Sequence, residues 1–228
     1  LMVWSEVPVY WTISWENKET YANAENQLST SIERDKNRAS VVIWSVGNET
    51  PITEPRNIFM GKLVDKVKSL DDTRLVSAAL EIERVGNTIT VEDKLGEKLD
   101  IVSFNEYGGW YWGKAKDLPK YDFDIKFNKP IIISEFGGGA LGGYHGSEDT
   151  IFTEEYQESL YIYQLEMLEK IEGLRGMTPW ILVDFKSPRR QHPVYQNFWN
   201  RKGLMTSTGA KKKAFYVLQD YYKNKTLK

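Results

Sequence analysis

Glu49 and Glu135 each close a strongly apolar stretch, VVIWSVGNE in the first case and PIIISEFG in the second. A carboxylate that follows a β-branched run is costly to bury alone, so it either reaches an open mouth or meets a charged partner. Two such acids held near one another suit cleavage of a glycosidic bond. One stays protonated and donates to the leaving oxygen, and the other, ionised, attacks the anomeric carbon. Two structural ion pairs are the alternative, and position alone leaves both readings open. Little other chemistry is on offer in this chain. It holds no cysteine, so disulfides, thiolate nucleophiles and sulfur-based zinc sites are excluded. Its two histidines, His145 and His192, fall in no metal-ligand spacing and make a histidine triad or a multi-histidine metal site improbable. His145 in GGYHG reads as a surface loop residue, and His192 in SPRRQHP as a structural or rim residue. GGGALGG at 137–143 has no following Lys-Ser or helix-start signature for phosphate, and reads as a mobile loop beside Glu135. No cluster implies a metal or an organic cofactor.

The elements that must position these acids begin with composition. The 228 residues are 41% hydrophobic and 27% charged, enough for one sizeable core and unlike a disordered chain. A formal charge of -2 provides no net field for nucleic acid or an anionic membrane. No apolar run approaches the roughly 20 residues of a membrane span. Aromatics reach 13%, with eight Trp and thirteen Tyr. Such rings stack on the C–H faces of sugars as readily as they fill cores.

Along the chain, residues 1–9 read as a buried strand ending near Glu6, to which a supporting role in orienting a neighbour is assigned. A helix is expected from about Ala24 to Asn37, with Leu28 and Ile32 inward. ASVVIWSV at 39–46 has the pattern of a strand buried on both faces. A helix over 54–69 carries Ile58, Leu63, Val64 and Val67 at near-helical spacing, and a strand covers 75–80. After an irregular stretch, strands are expected at 100–105 and 130–134, a helix at 154–172, a last strand at 180–183, and a final helix at about 211–222. Short strands alternating with helices argue for βα units on a parallel sheet. Six units are counted, where a (β/α)8 barrel needs eight. An open doubly wound sheet competes, but it would carry a glycine fingerprint after an early strand, and polar residues here gather at many strand ends. The expectation is an α/β chain of the (β/α)8 TIM-barrel type, truncated at its N-terminal side, with residues 1–228 forming one partial catalytic barrel domain.

WSVGNE at 44–49 and ISEFG at 133–137 closely resemble the catalytic strands of glycoside hydrolase family 2, which contains β-galactosidases and β-glucuronidases. RDKNRASVVIWSVGNE, FNEYGGWYWG, PIIISEFG, EEYQ and NRKG extend the resemblance over nearly the whole chain. The resemblance implies Glu49 as acid/base, Glu135 as nucleophile, and retention through a glycosyl-enzyme, for which the carboxyl groups must lie about 5–5.5 Å apart. It also implies that Asn48 bonds the sugar 2-hydroxyl, that Tyr107 keeps Glu135 ionised and aimed, that Asn105 and Tyr111 line the pocket, and that Trp180 forms a sugar platform. A buried core role is the alternative for Tyr107 and for Trp180.

Asn200-Arg201-Lys202 resembles the N-x-K element of β-glucuronidases, whose amide and ammonium bind the C6 carboxylate of a uronic acid. A solvated basic loop is the alternative, because Lys211–Lys213 nearby read as surface charge. One departure stands out: an arginine expected shortly before the asparagine is replaced by Gln196-Asn197-Phe198-Trp199, with Arg189 and Arg190 displaced. The expected activity is therefore a β-glucuronidase acting on glucuronides. A β-galactosidase or β-galacturonidase of the same family is the second reading, and an inactive sugar-binding fragment the third. The resemblance further implies β-sandwich domains ahead of the barrel, absent here, and a homo-oligomer. The compartment is not readable.

Overall fold

The structure is a computed structural model that describes residues 1–225. These form two compact units, the first comprising Leu1–Asn105, Phe123–Ser134 and Gly173–Gly176, the second Glu106–Asp122, Glu135–Glu172 and the chain from Met177 onward.

In the first unit β1 (Val3–Glu6) leads through α1 (Lys18–Asp35) to β2 (Val41–Asn48), then through α2 (Glu54–Leu70) to β3 (Leu75–Leu80). A short hairpin, β4 (Glu83–Val85) and β5 (Thr88–Val91), precedes β6 (Val102–Glu106), and β7 (Asp122–Ile125) joins the hairpin as a third strand. β8 (Ile131–Phe136) and β9 (Leu174–Pro179), which begin in this unit and end in the second, complete a six-stranded sheet in the order β1-β2-β3-β6-β8-β9. β1, β2, β3 and β6 pair in parallel. Each sheet neighbour is also the next sheet strand along the chain, as in a βα barrel; a doubly wound sheet reverses its order part-way. The sheet is thus of the TIM-barrel type, with six strands of it in this chain.

The helices start where side chains can cap them. Asn17 accepts from the amides of Glu19 and Thr20, so α1 begins six residues before the Ala24 expected from its apolar stripe; Thr53 caps α2 in the same way. Leu28 and Ile32 of α1, and Leu63, Val64 and Val67 of α2, are buried as expected, but Ile58 is exposed. Its place on the inner face is taken by Arg56, which is wholly buried. β2 is buried along nearly its full length, whereas β1 covers only Val3–Glu6 and is largely exposed, because it is an outer strand of the sheet. The irregular stretch after β3 contains the β4–β5 hairpin, too short and polar to signal itself.

The second unit contains α3 (Glu154–Leu168), capped by Thr153, the two-residue strands β10 (Phe185–Lys186) and β11 (Trp199–Asn200), and α4 (Lys213–Asn224), which packs on α3. The strand expected at 180–183 lies earlier, at β9: LRGMTP carries too few apolar residues to read as a strand, and only Met177 in it is buried because it too is an outer strand. GGGALGG is also reassigned. Gly137 to Ala140 are buried, and a Cβ on Gly137, whose φ is +119°, would lie 2.2 Å from the Tyr161 hydroxyl. Only glycine fits that close approach, and the segment is a packed one.

Candidate active site

In the first unit, β2 ends in a turn that sets Glu49. Gly47 passes so close to β1's extension that a Cβ there would be 2.8 Å from the Val9 carbonyl oxygen. Glu49 itself has φ +46°, in the left-handed region that side chains enter only when the surroundings hold them there. Several bonds do so: the Glu49 amide donates to Ala79 O at 3.0 Å and the Asn48 amide to Val9 O at 2.9 Å. Next in the chain, buried Thr50 accepts from Arg56 Nε at 2.7 Å, and Arg56 forms a doubly bonded pair with buried Asp93 at 2.7 Å. The Glu49 carboxylate accepts from Asn105 Nδ2 at 2.9 Å on one oxygen and from Trp11 Nε1 at 3.1 Å on the other. Asn105 Nδ2 also reaches Asn48 Oδ1 at 2.9 Å, and Ser134 Oγ donates to Asn105 Oδ1 at 2.8 Å. Asn105, expected only as a lining residue, is thus the side chain that fixes both Asn48 and Glu49. Glu6 accepts from Ser45 and Trp4, in keeping with a supporting role.

In the second unit, Glu135 is the penultimate residue of β8 and accepts a hydrogen bond from Tyr107 Oη at 2.5 Å. Burial and the neighbouring Glu135 charge push the Tyr107 phenol far above its ordinary value, so it remains a donor. Tyr107 packs edge-on against Tyr111, ring centroids 5.2 Å apart. Lys202, 4% exposed, donates to the Tyr111 hydroxyl and lies 4.7 and 4.4 Å from the centres of the Tyr107 and Tyr111 rings. Arg190 donates to the same hydroxyl at 3.0 Å. Burial pulls the Lys202 ammonium below the usual lysine value, partly countered by Tyr111. For Tyr111 burial acts upward, but the two cations outweigh it and leave the phenol below its ordinary value. The solvated-loop alternative for Lys202 is therefore set aside. Asn200 is buried, and its side-chain oxygen accepts from the Lys202 amide at 3.1 Å, which curls the Asn200–Lys202 segment. Trp180 follows β9, is half-buried, donates its amide to Phe136 O at 2.9 Å and meets Phe185 edge-on.

The structure corrects one further expectation. Lys212, grouped in sequence with surface charge, is 0% exposed; its ammonium donates to Ala140 O at 2.6 Å, Asp184 Oδ1 at 2.8 Å and Arg201 O at 3.0 Å. Burial pushes Asp184 up and Lys212 down, each offset by the partner's charge. This pair ties the segment after Glu135 to the one that carries Lys202. Sequence reasoning missed it, as it missed Trp11, Arg56 and Asp93, because nothing in a local pattern says which charged side chain folds inward. Arg190 was noted only as displaced. His145 is exposed against Glu155, and His192 lies beside Phe152 and Tyr195. Among the described residues no three His, Cys, Asp or Glu side chains gather to hold a metal ion, and no helix is long and apolar enough to cross a membrane.

Residues 3–226 match the family model described as glycosyl hydrolases family 2, TIM barrel domain. The chain belongs to glycosyl hydrolase family 2. Among its relatives in that family, a β-glucuronidase of Homo sapiens is 31% identical over 202 residues, covering 84% of this chain and 30% of that protein. One from Paenibacillus borealis is 28% identical over 212 residues, covering 89% of this chain and 34% of that protein. The family 2 chain thus spans about a third of the length of these relatives. Its fold is similar to a solved β-galacturonidase of Eisenbergiella tayi bound to galacturonate, with a TM-score of 0.81 at 23% identity over 99% of this chain and 41% of that one. A β-D-glucuronidase of Dictyoglomus thermophilum gives a TM-score of 0.78 at 24% identity over 92% of this chain and 36% of that one. At these identities the structural likeness speaks for the barrel-type fold.

Proposed function

We propose that this chain carries the catalytic residues of a retaining β-glucuronidase that removes terminal β-D-glucuronic acid by double displacement. The observation that carries the reading is the Lys202 ammonium. It is buried, it lies against two tyrosine rings and donates to the Tyr111 hydroxyl, and the negative charge of Glu135 acts on it. A desolvated cation is stabilised by an anion placed beside it, and the C6 carboxylate of a uronic acid is such an anion. A neutral hexose offers the ammonium no such charge, so the site discriminates by charge.

In the proposed reaction Glu135 attacks the anomeric carbon while Glu49 delivers its proton to the leaving oxygen, which departs as an alcohol or phenol. In the second half Glu49 takes a proton from water, the resulting oxygen attacks the anomeric carbon, and the Glu135 carboxylate is released. Tyr107 hydrogen-bonds Glu135 in its free carboxylate form, Asn48 is assigned to the 2-hydroxyl, and Trp180 to the sugar face. Glucuronidase names among the relatives support the sugar. A β-galacturonide is the second reading, because Lys202 addresses a carboxylate that both uronides share, and a galacturonidase is among the folds this chain resembles.

Lys202→Ala tests the proposal against chromogenic glucuronide, galacturonide and galactoside. Removing one partner of a buried charge pair costs about 2–5 kcal/mol, so kcat/KM for the glucuronide should fall at least about 30-fold. The galactoside rate should change by less than about threefold. Equal losses on both sugars would remove the basis for a uronide. Glu135→Gln should abolish turnover of every glycoside.

A further inference from the structure

The acid side of the site carries an aromatic feature that the sugar-binding assignments do not use. Tyr10 and Trp11 are stacked, with ring centroids 4.4 Å apart and planes 25° from parallel. Both rings are open to solvent, 41% and 51% exposed. They are not a floppy surface pair. The Trp11 amide donates to Asn48 O at 3.2 Å, Tyr10 forms a β-bridge with Asn48, and the Trp11 backbone sits at φ +54°, a left-handed conformation that a bulky residue adopts only when held. The held conformation delivers the indole N–H to Glu49 Oε2, while the other oxygen faces Asn105.

A proton donated by Glu49 goes to the oxygen that leaves with the aglycone, so the aglycone lies against the donor carboxylate. An aromatic group hydrogen-bonded to that carboxylate is within one ring of the leaving group. Asn105 bonds the other carboxylate oxygen and, like Asn48, to which it also donates, is assigned to the sugar side. The Oε2 side, with a flat, exposed and rigidly mounted π-surface, is left for what departs. Resting on the glycosidase reading above, we infer that the Tyr10–Trp11 stack is the platform of the aglycone subsite and that it accepts a planar aryl leaving group by face-to-face stacking. Trp11 then has two functions on one ring: its N–H orients Glu49, and its face holds the group to be protonated. Offset stacking of this kind favours an aromatic ligand over an alkyl one of equal polarity.

The test uses the full chain and ligands that are not hydrolysed: phenyl and methyl 1-thio-β-D-glucuronide, with the phenyl and methyl thiogalactosides and thiogalacturonides in parallel. The quantity read is the ratio of inhibition constants, phenyl against methyl, so loss of sugar affinity cancels. A ratio of about tenfold is expected, in line with one good aromatic contact plus the ring area removed from water. Trp11→Ala should bring it below about threefold. Trp11→Phe keeps a ring and loses the N–H, and should retain most of the preference. Tyr10→Ala, which leaves the Glu49 contact in place, should lower the ratio through loss of the stacked support, and its unfolding midpoint checks that the fold persists. A ratio unchanged in Trp11→Ala and in Tyr10→Ala, with binding of the sugar intact, overturns the platform. So does a β-linked disaccharide bound more tightly than the phenyl compound, which would assign the surface to a sugar. Failure of every thioglycoside to bind is a different result: it removes the glycosidase reading itself, and the platform with it.

Discussion

Replacing Tyr107 by Phe removes one oxygen and keeps the ring, and the structure says where the loss must appear. The Tyr107–Glu135 hydrogen bond is 2.5 Å long, in the range of charge-assisted O–H···O⁻ bonds. Bonds to charged groups are worth about 1.5–3 kcal/mol. The ring contacts to Tyr111 and Lys202 survive the substitution, so packing contributes little to the change. In the proposed double displacement the carboxylate reappears as the leaving group of the second half-reaction, where the phenol would stabilise that developing charge. Without it, release should slow by about 10- to 150-fold. Attack by a carboxylate is less affected, because the first half-reaction weakens the same bond. Stopped-flow hydrolysis of a dinitrophenyl glucuronide should therefore show a burst followed by a slow steady state, with kcat and KM both lowered. The phenol is held far above its ordinary value by burial and the Glu135 charge, so the Tyr107 effect should not titrate on the alkaline side. A variant with no burst and kcat within about twofold of the parent would mean that Tyr107 is a core tyrosine and nothing more.

Two other outcomes follow from buried charges. Asp93→Ala leaves the Arg56 guanidinium, 0% exposed and bonded to Thr50 beside Glu49, without its counter-ion; unfolding in urea should show a loss of about 3–5 kcal/mol, and an unchanged midpoint would refute the buried pair. The Lys202 value is lowered by burial, so its charge is present below that lowered value and lost as pH rises through it. KM for a glucuronide should therefore climb at a pH below the ordinary lysine value of about 10.4. Lys202→Arg, charged throughout, should move that rise upward, and identical profiles for the two proteins would rule out Lys202 as the titrating group.

Much of the fold was legible in the residues. The β-branched run of β2 could only be a strand buried on both faces, and its abrupt end at Gly47-Asn48-Glu49 marked a strand mouth. Helix ends were less legible because they depend on caps: Asn17 starts α1 well before its apolar stripe. β9 escaped notice because an outer strand needs few apolar residues, so LRGMTP lacks the pattern of an inner strand. Residue types at strand ends singled out Glu49 and Glu135, and the resemblance to a glycosidase family added Tyr107, Asn105 and Lys202. They were not enough to say what each one touches.

The sequence by itself determined that apolar runs alternate with helical stripes and that acids and amides follow several of those runs, because burial favours one residue class and strand ends tolerate another. The environment of each charge was decided only by tertiary structure. Lys212 and Lys211 are neighbours in the chain and equally charged, yet one is sealed beneath Asp184 and the other is exposed. Arg190, off register from any expected position, reaches Tyr111 through space. Trp11 meets Glu49 across 38 residues. Such pairings arise from packing distant segments together, where the cost of an unpaired buried charge selects one arrangement among many, and no local pattern encodes that selection.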